Sequence, residues 1–138
     1  MPQIKATARW IENVRTIVDN SRTHTVVCDL PQKKEGDDTG PTALELAVMS
    51  IADCAAMTFA DVCKKSGIKI TRLEVVAEAE KPADSPKVKG ITLQVSVEAD
   101  ARKQLVEAVW RRTEANCPVL LLIRETTPFT AKLETRTQ

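Results

Sequence analysis

The chain has 138 residues and a formal net charge of +1, with 20 Lys and Arg against 19 Asp and Glu. That length fits one domain, residues 1–138, around one core, and the balanced charge excludes a polyanion-binding surface and with it a nucleic-acid partner. Two Trp, two Phe and no Tyr leave little for stacking on bases or sugars.

From Ile4 to Trp10 the apolar Ile4, Ala6, Ala8 and Trp10 alternate with Lys5, Thr7 and Arg9, the period of a half-buried strand. A second short strand is expected over Asn13–Val18, a turn at Asn20 and Ser21, and a third strand over His24–Leu30. Strands this close in sequence pair as an antiparallel meander. A polar loop, Pro31–Gly40, leads out of it.

The stretch Gly40–Gly67 carries helix punctuation at both ends. Thr42 is placed to cap the start and Glu45, three residues on, to complete a capping box. Lys64 and Lys65 occupy the last turn, where cations suit the helix dipole, and Gly67 supplies the stop. Most residues between are apolar all round the helix, so it should be buried on most sides. Glu45, Asp53 and Asp61 interrupt it, which argues against a membrane span. Ser50, Cys54 and Asp61 form one narrow polar line along it.

After Gly67 the period returns to two. Leu73, Val75, Ala77 and Ala79 share one face of a strand, and Ile91, Leu93, Val95 and Val97 one face of the next, with a turn at Lys81–Lys87. Asp100 is expected to cap a helix over Ala101–Ala115 that turns Leu105, Val109 and Trp110 to the core. Val119–Arg124 fits either a helical turn or a short strand, with a short helix preferred, and Phe129, Ala131 and Leu133 alternate in a last strand. The order βββ-α-ββ-α-(α)-β, with strands in antiparallel groups, makes the class α+β. One small sheet cannot cover so apolar a helix, so a second subunit is expected against it.

Four cysteines without the apolar run of a secretory signal read as reduced cytoplasmic thiols. Cys54 and Cys63 are nine residues apart, on opposite helix faces at about 100° per residue. They cannot share a disulfide or a metal ion. Cys28 and His24 could share a strand face, but no second metal-ligand pair accompanies them, so no metal site is expected. Cys28 and Cys63 read as packing residues. Cys117, in Asn-Cys-Pro, stands at a helix end where a thiol can be exposed.

Gly40-Pro41, Leu44-Glu45-Leu46-Ala47 and Ala52-Asp53-Cys54 on one long helix, then Cys117-Pro118-Val119 some sixty residues later, resemble the OsmC/Ohr family of thiol peroxidases and their relatives. Ala8-Arg9-Trp10, the His24 strand and the Asp29-Leu30-Pro31 exit fit the same pattern, closest to the OsmC-like branch. The resemblance implies an interleaved homodimer with the two central helices at its interface. It also implies a peroxidatic Cys54, a resolving Cys117, a glutamate matched by Glu45, and an arginine from the N-terminal strands. Arg15 is the first candidate for that arginine and Arg22 the second.

Elementary chemistry constrains these roles. The thiolate attacks, not the thiol. Cys54 lies about 18 Å along the axis from Thr42, too far for a dipole that fades within a turn, so a nearby cation is needed. Arg15 would supply it, with Glu45 holding the guanidinium. Glu45 and Cys54 lie on opposite faces of one helix, so Glu45 would act through a moved arginine or from the other subunit. The expected activity is reduction of organic hydroperoxides, favoured by an apolar pocket drawn from Met49, Met57, Phe59 or neighbouring strands. No bound cofactor is expected, and an external dithiol, dihydrolipoamide-like in the family, would reopen the Cys54–Cys117 disulfide. The alternatives are a non-catalytic dimeric ligand-binding module and a redox sensor. No membrane partner is expected.

Overall fold

The structure, a computed structural model, describes residues 1–136. The chain folds as α+β with antiparallel sheets. In order these are β1 (Thr7–Glu12), β2 (Arg15–Asp19), β3 (Thr25–Cys28), α1 (Ala43–Lys65), β4 (Lys69–Glu80), β5 (Gly90–Asp100), α2 (Lys103–Asn116) and α3 (Pro118–Arg124). They fall into two compact units. One comprises Met1–Ser50 with Ala77–Thr92; the other comprises Ile51–Val76 with the chain from Leu93 onward. Neither is a contiguous stretch, because α1 and the β4–β5 hairpin run through both.

In the first unit β1, β2 and β3 form an antiparallel meander, with Thr7 opposite Asp19 and Thr16 opposite Cys28. The ladder slips between Trp10 and Glu12, and Asn13 takes the left-handed φ of 50° that its short polar side chain tolerates. Strand β3 is shorter than expected because the chain turns at Asp29, whose amide donates to the Pro41 carbonyl at 3.2 Å. That bond closes the polar loop into a compact excursion containing a 3-10 turn at Gln32–Lys34. Gly40 fits because a side chain there would run into the Val27 carbonyl.

Helix α1 starts and stops as its ends dictate. The Glu45 amide donates to Thr42 Oγ1 at 3.1 Å and the Thr42 amide to Glu45 Oε1 at 2.9 Å, a reciprocal capping box. At the other end Gly67, at φ 72°, lets the Ile68 amide reach the Cys63 carbonyl and the Gly67 amide the Lys64 carbonyl, a Schellman stop. Burial departs from the expectation of a helix covered on most sides. Only the stripe Ile51, Ala55, Phe59 and Cys63 is buried, while Leu44, Met49 and Met57 stay exposed. One chain covers one side of an apolar rod. By length and composition α1 could cross a membrane, but its buried stripe is part of a core built with strands and α2.

That core belongs to the second unit. Phe59, Cys63, Ile68 and Val109 form its centre, flanked by Leu73, Val97, Val106 and Trp110. The Phe59 and Trp110 rings lie 5.8 Å apart and tilted by 57°, a favourable aromatic geometry. Strands β4 and β5 pair as an antiparallel hairpin: Thr71 Oγ1 donates to the Glu98 carbonyl near one end, the Lys89 amide to the Glu80 carbonyl near the other.

Three expectations are corrected here. Asp100 ends β5 rather than capping α2, which begins three residues later, at Lys103, behind Arg102 with no side-chain cap. The α2 face turned inward carries Val106, Val109, Trp110 and Thr113, leaving Leu105 at its exposed edge. The last strand does not form: residues 125–136 are neither helix nor strand, and Phe129 and Leu133 are 88% and 86% exposed. Alternation alone makes no strand without an edge to pair with.

Candidate functional site

Two free thiols meet in the second unit. Cys54, in the middle of α1, is half-buried; Cys117 is 0% exposed. Cys117 stands at the joint between α2 and α3. Its amide donates to the Thr113 carbonyl at 2.9 Å, ending α2, and its carbonyl accepts from the Leu121 amide at 3.0 Å, starting α3. Pro118 drives the residue before it out of the helical region, and Cys117 adopts φ −76°, ψ 113°. The kink so fixed turns the thiol inward.

The Cys117 thiol donates toward Cys54 Sγ across 2.7 Å. The pair is unbonded, since a disulfide is about 2.05 Å long, yet near enough to form one. Cys54 Sγ also lies 3.9 Å from the hydroxyl of Thr58, one turn along α1. Burial, foremost, and then the Cys54 sulfur push the Cys117 thiol up, while the Leu120 amide and the Thr58 hydroxyl pull the other way. Cys117 therefore holds its proton more tightly than a free thiol does.

The remaining sequence candidates lie in the first unit. Arg15, at the start of β2, is gripped by three carboxylates: Asp37 at 2.7 Å, Glu12 at 3.1 Å and Asp29 at 3.5 Å. Asp29 is 3% exposed. Its Oδ2 accepts from the Thr39 hydroxyl at 2.7 Å and from the Thr39 and Asp37 amides, and its Oδ1 from the Leu30 amide. Led by the Thr39 hydroxyl, these donors hold its carboxyl far below the usual range despite burial. Glu45 is the capping-box partner of Thr42, so its carboxylate is not among those on Arg15. Arg22 is exposed in the turn between β2 and β3, where its amide donates to Asn20 Oδ1.

Glu45 borders an open groove of about 710 Å³ whose apolar wall includes Pro41, Leu44, Val48 and Met49. The apolar trio expected around the sulfur is otherwise placed. Phe59 is fully buried in the second unit's core and Met57 is 63% exposed. Cys28 and Cys63 are both buried, and burial raises the Cys63 thiol. Among the described residues, no three His, Cys, Asp or Glu side chains gather as metal ligands.

Reading by residue type missed Thr58, which continues the Ser50–Cys54 line by one more turn and looked like filler in an apolar helix. It also missed the acidic grip on Arg15, because the loop that brings Asp37 to the strand has no periodicity to read.

An α+β chain of antiparallel sheets carrying a helix-borne pair of thiols is of a recognisable class. The chain belongs to the OsmC-like protein family, whose sequence profile matches residues 36–132. Comparison with curated proteins returns no match. Among solved structures, an OsmC-like protein from Mycoplasma pneumoniae superposes with a TM-score of 0.77 at 13% identity, over 89% of this chain and 88% of that one. An organic hydroperoxide resistance protein OsmC from Legionella pneumophila does so with a TM-score of 0.61 at 18% identity, over 90% of each chain. An organic hydroperoxide resistance protein from Elizabethkingia anophelis gives 0.61 at 18%, over 90% of this chain and 89% of that one. At such identities the likeness is one of fold.

Proposed function

We propose that the protein is a cytoplasmic thiol-dependent peroxidase that reduces organic hydroperoxides through Cys54 and Cys117. The observation that carries this reading is the 2.7 Å approach of two free sulfurs that differ in exposure. The family of the chain and the names of the Legionella and Elizabethkingia proteins agree with it.

The roles follow from access and charge. Cys54 is the sulfur a substrate can reach, and it accepts the hydrogen bond from Cys117, so its thiolate is the nucleophile. It attacks the terminal oxygen of ROOH; the O–O bond breaks, RO⁻ leaves and takes a proton as ROH, and Cys54 becomes a sulfenic acid. Cys117, held as a thiol while Cys54 is charged, then attacks the sulfenic sulfur. Water leaves with the Cys117 proton and a Cys54–Cys117 disulfide forms. An external dithiol reopens it by exchange. Arg15 supplies the cation and Glu45 its carboxylate partner once two chains associate across the exposed apolar side of α1.

The test is peptide mass spectrometry after one equivalent of cumene hydroperoxide. The reading predicts a Cys54–Cys117 linkage and catalytic consumption with dithiol; unmodified thiols would end it. The same sulfur pair also suits a redox sensor, which would form the linkage without fast recycling.

A further inference from the structure

We infer that Thr58 is a third working group of this dithiol: its hydroxyl donates a hydrogen bond to the thiolate of Cys54. The hydroxyl lies 3.9 Å from Cys54 Sγ, one turn along the same helix.

Its freedom to do so is unusual within this chain. A hydroxyl on a helix commonly bonds back to a carbonyl of the preceding turn. Ser50 does so, donating to Ala47 at 2.7 Å, and Thr113 likewise to Val109 at 2.9 Å. The partner of the Thr58 hydroxyl is sulfur. As a residue four on from Cys54 it shares that face of α1, and β-branching restricts its rotamers to few positions.

The chemistry has need of such a donor. Cys54 is mid-helix, beyond reach of the dipole at the start of α1. Within one chain Arg15 is bonded to Glu12, Asp29 and Asp37. The titratable neighbour facing Cys54 from another element is Cys117, at the α2–α3 joint. On α1 itself, Asp53 is exposed and Asp61 pairs with Lys65 at 2.8 Å. A neutral hydroxyl stabilises a thiolate without introducing a charge that the second step would have to undo.

The use of this donor in peroxide reduction rests on the peroxidase reading; the hydrogen bond to Cys54 does not, and the experiment separates them. The reduced full-length protein is alkylated with iodoacetamide across pH, and the rate at Cys54 is followed by peptide mass spectrometry. Thr58→Val, of nearly the same shape, should move the Cys54 midpoint up by about one pH unit, about tenfold less thiolate below it. Thr58→Ser should restore the wild-type midpoint. Thr58→Ala gives the same comparison if valine disturbs packing, as judged by near-UV circular dichroism. A hydroxyl-free variant that folds and keeps the wild-type midpoint overturns the inference, as does a serine variant that fails to restore it. Hydroperoxide turnover is measured beside it. A midpoint that moves in a protein without turnover supports Thr58 and removes the peroxidase; turnover with an unmoved midpoint does the reverse.

Discussion

Cys117 Sγ, fully buried, lies 2.7 Å from Cys54 Sγ, which is half-buried, so the two thiols are unequal before any reaction begins. The inequality predicts different phenotypes. Cys54→Ser should abolish hydroperoxide consumption. Cys117→Ser should permit about one turnover and stop at a sulfenic acid that dimedone traps on Cys54. Intact-mass measurement distinguishes them, and a dimedone adduct on Cys117 in the Cys54→Ser variant would reverse the assigned roles.

Glu45 has a structural duty that its proposed chemical one must be separated from. Its carboxylate accepts the Thr42 amide while its own amide donates to the Thr42 hydroxyl. Thr42→Ala should therefore cost about 1 kcal/mol in urea unfolding. Glu45→Gln keeps an acceptor for the Thr42 amide and should unfold near the wild-type midpoint. If the negative charge also positions the arginine, that same variant loses peroxidase activity while keeping its stability. A glutamine variant of full activity would leave Glu45 as a cap alone.

How much of this was readable depended on how local the cause was. The ends of α1 were legible because Thr42, Glu45 and Gly67 act within a few residues of the backbone groups they satisfy. The alternating faces of β4 and β5 were legible because period two needs no knowledge of what lies opposite. Asp100 misled because a good capping residue also serves at the end of a strand. The Phe129–Leu133 pattern misled because a strand needs an edge, which a pattern does not contain. The paired sulfurs, 63 positions apart, entered through family resemblance; spacing could not reveal the kink before Pro118 that turns one toward the other.

The exposed side of α1 leads to a prediction about assembly. Met49 and Met57, about 80° apart around the helix, are 55% and 63% exposed, and apolar surface of that kind marks an interaction face. A homodimer across it should be seen by sedimentation, and Met57→Glu, which puts a charge into the contact, should shift the protein toward monomer. A monomeric wild type at micromolar concentration would remove the dimer from the proposed mechanism.

Asp29 sets the acid limit of the first unit. Four donors converge on its carboxylate, and its ion pair with Arg15 adds a fifth contact. Its folded pKa is depressed, with the Thr39 hydroxyl as the largest cause. A depressed carboxylate contributes stability that is fully present above its unfolded value, about 3.9, and is lost as pH falls toward the folded one. The wild type should thus weaken steadily on acidification below about pH 4. Asp29→Asn removes that titration and presents an amide where the Thr39 and Asp37 amides need an acceptor. It should lower the urea midpoint at neutral pH, flatten the acid slope, and leave Arg15 with one fewer carboxylate. Midpoints measured from neutral pH downward for both proteins check the sign, and an Asn variant as stable as wild type at neutral pH, with the same acid slope, would show that the loop is held by something other than this carboxylate.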